Sequence, residues 1–428
     1  MSTKAPTARS STDLANLAST PLHSVESIGS NSNAPMVTPQ PVPQKLFAHI
    51  PFLDGLRALS IFAVLTYHGA GPLGAVLFKS GGWVGVDAFF VISGFLISGI
   101  LLKEKDKTST IHTRNFYIRR ALRLMPVFLL WIVVTSSIRI LRHKFSLPAA
   151  AVTAFYLCDY DLALGWGNII GSGFELAWSL SVEEKFYLIW PTVVKYFRQH
   201  LLSIGILAVV GDLAWKAYLL YQGVSWLRVC SAFDTKIDSL MIGCVTAILL
   251  NDARVKNWFE KNIRSSWISA GLLVFILFYI RGMGHPAGAT TLIQKLLYWD
   301  VRLPIFALAV AALIITLSAT PTGITSRILS FTPIAFIGRI SYSLYLWHIA
   351  AFAFALWFGW QIHPMVPIEM ELSQYFWAIV FAAVSFYFIE TPFLKMKNRY
   401  TPASTAFPSS LASSPTRQLV SSGRIKRL

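Results

Sequence analysis

Charge is scarce in this chain: Asp, Glu, Lys and Arg make up 13% of its 428 residues, against roughly 25% in ordinary soluble domains. With 54% hydrophobic residues and a positive mean hydropathy, that shortfall excludes a single water-exposed domain and leaves a bilayer as the solvent. Acidic residues are scarcer than basic ones, 20 against 37, giving a net charge of +17. The bases cluster in short segments between apolar runs, as cytoplasmic loops do, so they read as topology signals rather than a nucleic-acid surface. Cysteine is nearly absent. Cys158, Cys230 and Cys244 make no even framework and no CxxC or His-Cys spacing, so no metal site is expected. Cys158 and Cys230 form a bridge or, on the plainer reading, all three are small buried apolar residues. The N-terminus lacks a basic stretch followed by an apolar one, which argues against a cleaved signal. No period of roughly 20 to 50 residues repeats, which argues against a solenoid and against the internal repeats of secondary transporters.

What the chain does have is apolar runs, recurring from residue 52 to residue 390, each near the length that crosses ~30 Å of hydrocarbon. Their all-round apolarity is unlike the short alternating segments of a β-barrel. The expected fold is all-α, a polytopic transmembrane helical bundle with about ten spans. These fall near 52–70, 83–102, 122–140, 184–198, 202–221, 236–251, 266–281, 300–318, 335–357 and 373–390. An eleventh segment fits 147–165 as a short span or re-entrant piece. Residues 1–47 and 396–428, rich in small polar residues and Pro, read as disordered tails around a membrane domain over 48–395, the C-terminal one basic. Basic residues in 103–123 and in a loop over 252–265 place both segments, and both termini, on the cytoplasmic side of a plasma (inner) membrane. The run "RILRHK" at 139–144 is basic yet falls on the other side.

In "LDGLRALSIFAVLTYHGAG" (53–71), Asp54, Arg57 and His68 interrupt an apolar run, although an unpaired charge in hydrocarbon costs several kcal/mol. Arg57 and His68 are eleven residues apart, about 20° past three full turns, so both project from one face with roughly 16 Å between them. Asp54 can meet Arg57 across one turn and offset its charge. Histidine takes a proton from a hydroxyl near neutral pH, and arginine grips phosphate or carboxylate with two nitrogens. Together they suggest acyl transfer between a phosphorylated carrier and an alcohol; the alternative is a structural Asp-Arg pair and a packing histidine. "GGWVGVDAFFVISGFLIS" (81–98) adds Asp87 and Ser93 among small glycines. "NFYIRRALRLMP" (115–126) sets Arg119 and Arg123 at i, i+4 before a span, for a carrier phosphate or for topology and lipid headgroups. "ELAWSLSVEEKFYLIWP" (175–191) brings Glu183 and Glu184 to a helix start, where a negative charge is also favourable in itself. "GRISYSLYLWHIAAF" (338–352) places His348 in mid-membrane beside Tyr342, Tyr345 and Trp347, which read as aromatic packing.

In order, "DGLRALSIFAVLTYH", "GVDAFFVISGFLIS", "RRALRLMP", "WSLSVEEKFYLIWP", "SYSLYLWH" and "IETPF" closely resemble the acyltransferase-3 family of integral-membrane acyltransferases, over about residues 48 to 395. The resemblance implies a helical bundle that accepts an acyl group, usually acetyl from acetyl-CoA on the cytoplasmic side, and passes it to a hydroxyl of a sugar or other acceptor. It implies that His68 is the essential histidine, Arg57 its paired arginine, Arg119 and Arg123 part of the acyl-CoA entrance, and Glu183 the first glutamate of the Trp-Ser-Leu-Ser-x-Glu motif. Two positions depart from the pattern: Lys236 stands where arginine is common ahead of Asp238, and Lys185 replaces a common glutamine. Relatives acting on peptidoglycan or O-antigen often add a soluble esterase-like domain, for which residues 400–428 are too short, leaving the reaction to the bundle or a separate partner chain. The expected function is an O-acetyltransferase using acetyl-CoA and no metal. Its acceptor is a cell-surface or exported carbohydrate, free or lipid-linked; its partners are membrane lipids and polysaccharide-assembly proteins, not nucleic acid. Transfer is direct with His68 as general base, or passes through an acyl-histidine. The alternatives are acylation of a small secondary metabolite such as a macrolide, and a transporter with no acyl chemistry.

Overall fold

The computed structural model describes residues 50–400 apart from 70, 79–80, 285–287, 289, 363–365 and 398–399. The tail expected over 1–47 lies outside the described residues, as does 401–428. No strand occurs among the described residues. The first half runs as α1 (Pro51–His68), α2 (Pro72–Leu77), α3 (Gly85–Thr108), α4 (Thr113–Leu141), α5 (Leu147–Ala154), α6 (Cys158–Leu164), α7 (Ala177–Tyr196), α8 (Leu201–Tyr221), α9 (Trp226–Ser231) and α10 (Ile237–Asn251). The second half adds α11 (Ala253–Asn262), α12 (Trp267–Met283), α13 (Leu292–Leu296), α14 (Leu303–Ala319), α15 (Ile324–Leu329), α16 (Thr332–Arg339), α17 (Ser341–Ile362), α18 (Pro367–Ser385) and α19 (Thr391–Lys397).

Polarity is inverted relative to a soluble protein. Asp87, Lys216, Lys236 and Asp238 are fully buried, while Leu207 and Phe388 are 69% and 74% exposed. That is the arrangement a hydrocarbon solvent selects, since backbone and charge must be satisfied inside the bundle. Six described helices are long and apolar enough to cross a membrane, or seven if α11 and α12, bent by 94°, count as one span. The count falls below the expected ten because α1 and α7 carry charge, while α10 and α12, at 15 and 17 residues, are short. α1 carries Asp54, Arg57 and His68, and α7 carries Glu183, Glu184 and Lys185.

α3 packs most extensively against α10. A Cβ at Gly94 of α3 would strike the Leu240 carbonyl, and one at Gly243 of α10 would strike the Val91 carbonyl. Reciprocal glycines thus let the two backbones touch, as small residues do between membrane helices. α17 also packs closely with α18, and α1 with α16, where a Cβ at Gly338 would strike the Asp54 carbonyl.

Several expectations are corrected. The segment 147–165 is not a span but the short helices α5 and α6, each far below bilayer length; Ser146 starts α5 by accepting from the Ala149 amide at 3.3 Å. The expected loop 252–265 is mostly α11, because Asp252 caps it by accepting from the Arg254 amide at 2.7 Å. Glu183 and Glu184 do not begin a helix: α7 starts at Ala177, so they lie in its interior and find a cation there instead. The three cysteines are buried and free.

Candidate active site

A cavity of about 580 Å³, counted out to its open mouth, lies between α1, α3, α4, α7 and α17, with Arg57, Ser93, Arg120, Arg123, Glu183 and Tyr345 on its walls. Arg120 and Arg123 share a face of α4 at i, i+3. Arg120 is already engaged: it lies 3.7 Å from Glu183 Oε2, 3.6 Å from Glu184 Oε1 and 3.6 Å from the centre of the Tyr187 ring. Ser93 Oγ donates to Glu183 Oε1 at 2.7 Å, tying α3 to α7. Arg57 and Arg123 make no ion pair among the described residues, and Arg57 Nε is buried with no hydrogen-bond partner. Three guanidinium groups and one carboxylate, Glu183, line the cavity, with Glu184 beside Arg120 and Glu390 near Arg57 and Arg123 behind its wall; the planar N–H forks of Arg57 and Arg123 suit an anion that enters.

The expected Arg119–Arg123 face is only half right. Arg123 lines the cavity, but Arg119 is drawn off by Glu104 of α3 at 2.9 Å and donates to the Tyr400 carbonyl at 2.9 Å. Arg120, next in sequence, takes its place. Asp54 is buried one turn before Arg57, yet the two make no ion pair, because Arg57 extends into the cavity.

His68 is the last residue of α1 and is exposed. Its Nδ1 lies 3.0 Å from the Val64 carbonyl and 3.3 Å from His348 Nε2, while His348 Nδ1 lies 2.7 Å from the Tyr345 carbonyl. A carbonyl can only accept, so both Nδ1 atoms carry hydrogen in this arrangement. His348 Nε2 is then an acceptor for His68, and His68 Nε2 keeps the lone pair needed to take a proton. Tyr345 links the histidines to the cavity: its ring lines the wall, its hydroxyl donates to the Leu176 carbonyl at 3.0 Å and lies 2.6 Å from Ser179 Oγ, and its backbone holds His348. From its sequence context alone it reads only as aromatic packing.

Glu371 of α18 was also not singled out. Fully buried, it accepts from the Leu73 amide at 2.7 Å, the Gly74 amide at 2.9 Å and the Tyr375 hydroxyl, and so clamps the start of α2 just after His68. Its only sequence signal is an acid at the edge of the apolar run 373–390.

Asp87 and Asp238 belong to a different network. Lys236 Nζ meets Asp87 Oδ1 at 2.8 Å between the Trp83 and Trp299 rings, and Lys216 Nζ meets Asp238 Oδ2 at 2.6 Å and Asp212 Oδ2 at 3.1 Å. None of these charged residues lines the cavity. Lys236 works here as a point charge, for which an arginine fork is not required. Lys185 reaches Asp159 Oδ1 at 2.5 Å and the Tyr156 carbonyl at 2.6 Å; burial pushes the Asp159 carboxyl up and this lysine draws it back down.

Residues 50–391 match the family model described as an acyltransferase domain. Similar proteins include one from Staphylococcus aureus (strain COL) named as a candidate O-acetyltransferase, 31% identical over 379 residues, which cover 82% of this chain and 58% of that protein. The O-acetyltransferase OatA of Staphylococcus aureus (strain NCTC 8325 / PS 47) is 28% identical over 375 residues, 81% of this chain and 57% of its own. The chain thus spans somewhat over half the length of these relatives. No solved structure matches it. The family match runs from α1 to the first residue of α19 and takes in the cavity and both histidines, so this chain belongs to the acyltransferase-domain family, built as an all-α membrane bundle.

Proposed function

We propose that the chain is an O-acetyltransferase that moves an acetyl group from acetyl-CoA to a hydroxyl of a cell-surface or exported carbohydrate. In this reading it sits in the plasma (inner) membrane with its termini in the cytoplasm, where Arg57 and Arg123 hold the donor's phosphates. The observation that carries the reading is the 3.0 Å contact between His68 Nδ1 and the Val64 carbonyl: a carbonyl only accepts, so the hydrogen belongs on Nδ1 and Nε2 is left as the base. His68 Nε2 takes the acceptor's hydroxyl proton as the oxygen attacks the acetyl carbonyl carbon; the carbon–sulfur bond breaks, and the imidazolium returns the proton to the departing thiolate. The roughly 16 Å between Arg57 and His68 leaves room for an extended arm between phosphates and thioester. Relatives named as O-acetyltransferases support oxygen as the receiving atom.

The test is consumption of radiolabelled acetyl-CoA by the purified chain in detergent, with acetyl transfer to host glycans followed by mass spectrometry. Free CoA and an O-acetylated glycan should form together, and both should vanish in His68→Ala that is expressed at a normal level in the membrane. Normal donor consumption by that variant would remove His68 from the chemistry, and no consumption by the wild-type chain would leave the transporter alternative.

A further inference from the structure

Glu371 does not line the cavity, yet it is a fully buried acid in a helix long and apolar enough to span a membrane, a placement that costs several kcal/mol unless its oxygens are satisfied. Its partners all lie around the chain that leaves His68. Leu73 and Gly74, in the first turn of α2, donate their amides to Oε2 at 2.7 Å and to Oε1 at 2.9 Å, and the Tyr375 hydroxyl, one turn along α18, donates to Oε1.

The backbone around this carboxylate has no slack. A Cβ at Gly71 would lie 2.1 Å from Glu371 Oε2, and one at Gly74 would lie 2.5 Å from the Thr66 carbonyl. α2 is thereby wedged between Glu371 and the last turn of α1. Final helical turns fray unless something holds them, and His68 is the last residue of α1, with the Gly69 amide on the Leu65 carbonyl at 2.8 Å as its backbone cap. The contact of His68 Nδ1 with the Val64 carbonyl is made within that same turn, so fraying would free both the tautomer and the ring.

Tyr375 carries the clamp to the other histidine. Its ring meets Phe62 of α1 edge-on with centroids 6.0 Å apart and Phe352 of α17 at 6.1 Å, and Phe352 lies 5.7 Å from the His348 ring one turn before it. One turn of α18 thus touches both helices whose histidines meet.

From these contacts we infer that Glu371 is a positioning residue: with Tyr375 it holds the end of α1 so that His68 keeps its hydrogen on Nδ1 and aims Nε2 at the acceptor hydroxyl. It makes no hydrogen bond to either histidine among the described residues and acts through the turn between α1 and α2. The inference rests on the acetyltransferase reading for the value of an aimed Nε2, but one of its two readouts needs no acetyl-CoA.

Two variants are compared with the wild-type full chain, purified in detergent. Glu371→Gln keeps the side-chain shape but turns one acceptor into a donor that faces amide or hydroxyl hydrogens; Tyr375→Phe removes a hydroxyl and keeps the ring. The first readout is steady-state acetyl transfer per folded molecule. The second is nitrogen-15 NMR of protein labelled at histidine, in which a ring nitrogen bearing hydrogen and one bearing a lone pair resonate far apart; the His68 signals are assigned by their loss in His68→Ala. Glu371→Gln should lower kcat by roughly 10- to 100-fold with the donor KM within about twofold, since displacing a reacting group by about 1 Å costs on that order. Tyr375→Phe should lower it by roughly 2- to 12-fold, the equivalent of one modest hydrogen bond. In both variants the separate Nδ1 and Nε2 signals of His68 should draw together as the two tautomers exchange. An unchanged kcat in both, a loss that falls on the donor KM instead, or a reduced kcat with the His68 signals at their wild-type positions overturns the inference. If Glu371→Gln does not fold, Tyr375→Phe decides by the same two readouts. Failure of the transferase reading is separable, because the wild-type chain would then consume no acetyl-CoA while the His68 signals still move in the variants.

Discussion

His348→Phe separates a histidine that reacts from one that positions. His348 Nε2 accepts from His68 Nδ1 at 3.3 Å, a long contact, while the Val64 carbonyl accepts from the same nitrogen at 3.0 Å. Phenylalanine keeps a ring near those of Tyr345 and Phe352, whose centroids lie 5.9 and 5.7 Å away, and removes the acceptor toward His68 together with the hydrogen that Nδ1 gives the Tyr345 carbonyl. A neutral hydrogen bond is worth about 0.5–1.5 kcal/mol, so kcat should fall roughly 2- to 12-fold with the donor KM unchanged. His68→Ala removes the general base itself and should cost about 10²- to 10⁴-fold. The assay is steady-state acetyl transfer by purified protein at saturating acceptor, with donor concentration varied. Equal losses in the two variants would refute the division of roles, since His348 would then touch the reacting atoms. An undiminished His348→Phe rate together with an inactive His68→Ala would reduce the pair to packing.

Arg57→Gln and Arg123→Gln should each raise the donor KM by roughly 10- to 150-fold, the equivalent of about 1.5–3 kcal/mol per charged contact, whereas Arg119→Gln, held at Glu104 outside the cavity, should change it by less than about threefold. Lys236→Met strands the buried Asp87 carboxylate and should cost about 3–5 kcal/mol in detergent unfolding; adding Asp87→Leu should recover most of that, and a double variant as unstable as the single one would contradict the pairing. Gly243→Leu forces a side chain onto the Val91 carbonyl, which cannot rotate aside, and should lower stability by about 1–3 kcal/mol, seen as a depressed Tm.

Apolar run length and the few charges within those runs made the helical membrane class legible, because in hydrocarbon every backbone group must be satisfied within its own helix. The same economy exposed Arg57, His68, Ser93, Glu183 and His348, since polar residues in apolar runs stand out, and all five fall at the cavity or the histidine pair. Local rules failed where a partner from elsewhere intervened. Spacing along α4 could not say that Glu104 would claim Arg119 and leave Arg120 and Arg123 to the cavity. Asp87 and Asp238 carried the same signal as Glu183 but answer to Lys236 and Lys216 across the α3–α10 and α8–α10 contacts. Glu371 reaches the turn after His68 from 298 positions away, a distance no periodicity spans. The sequence by itself determined the solvent, the helices and which residues are too polar to be idle, because these follow from composition and neighbours along one chain. Only the tertiary structure decided which cation meets which carboxylate and which histidine nitrogen is free, because those choices are made by helices that pack side by side from distant parts of the sequence.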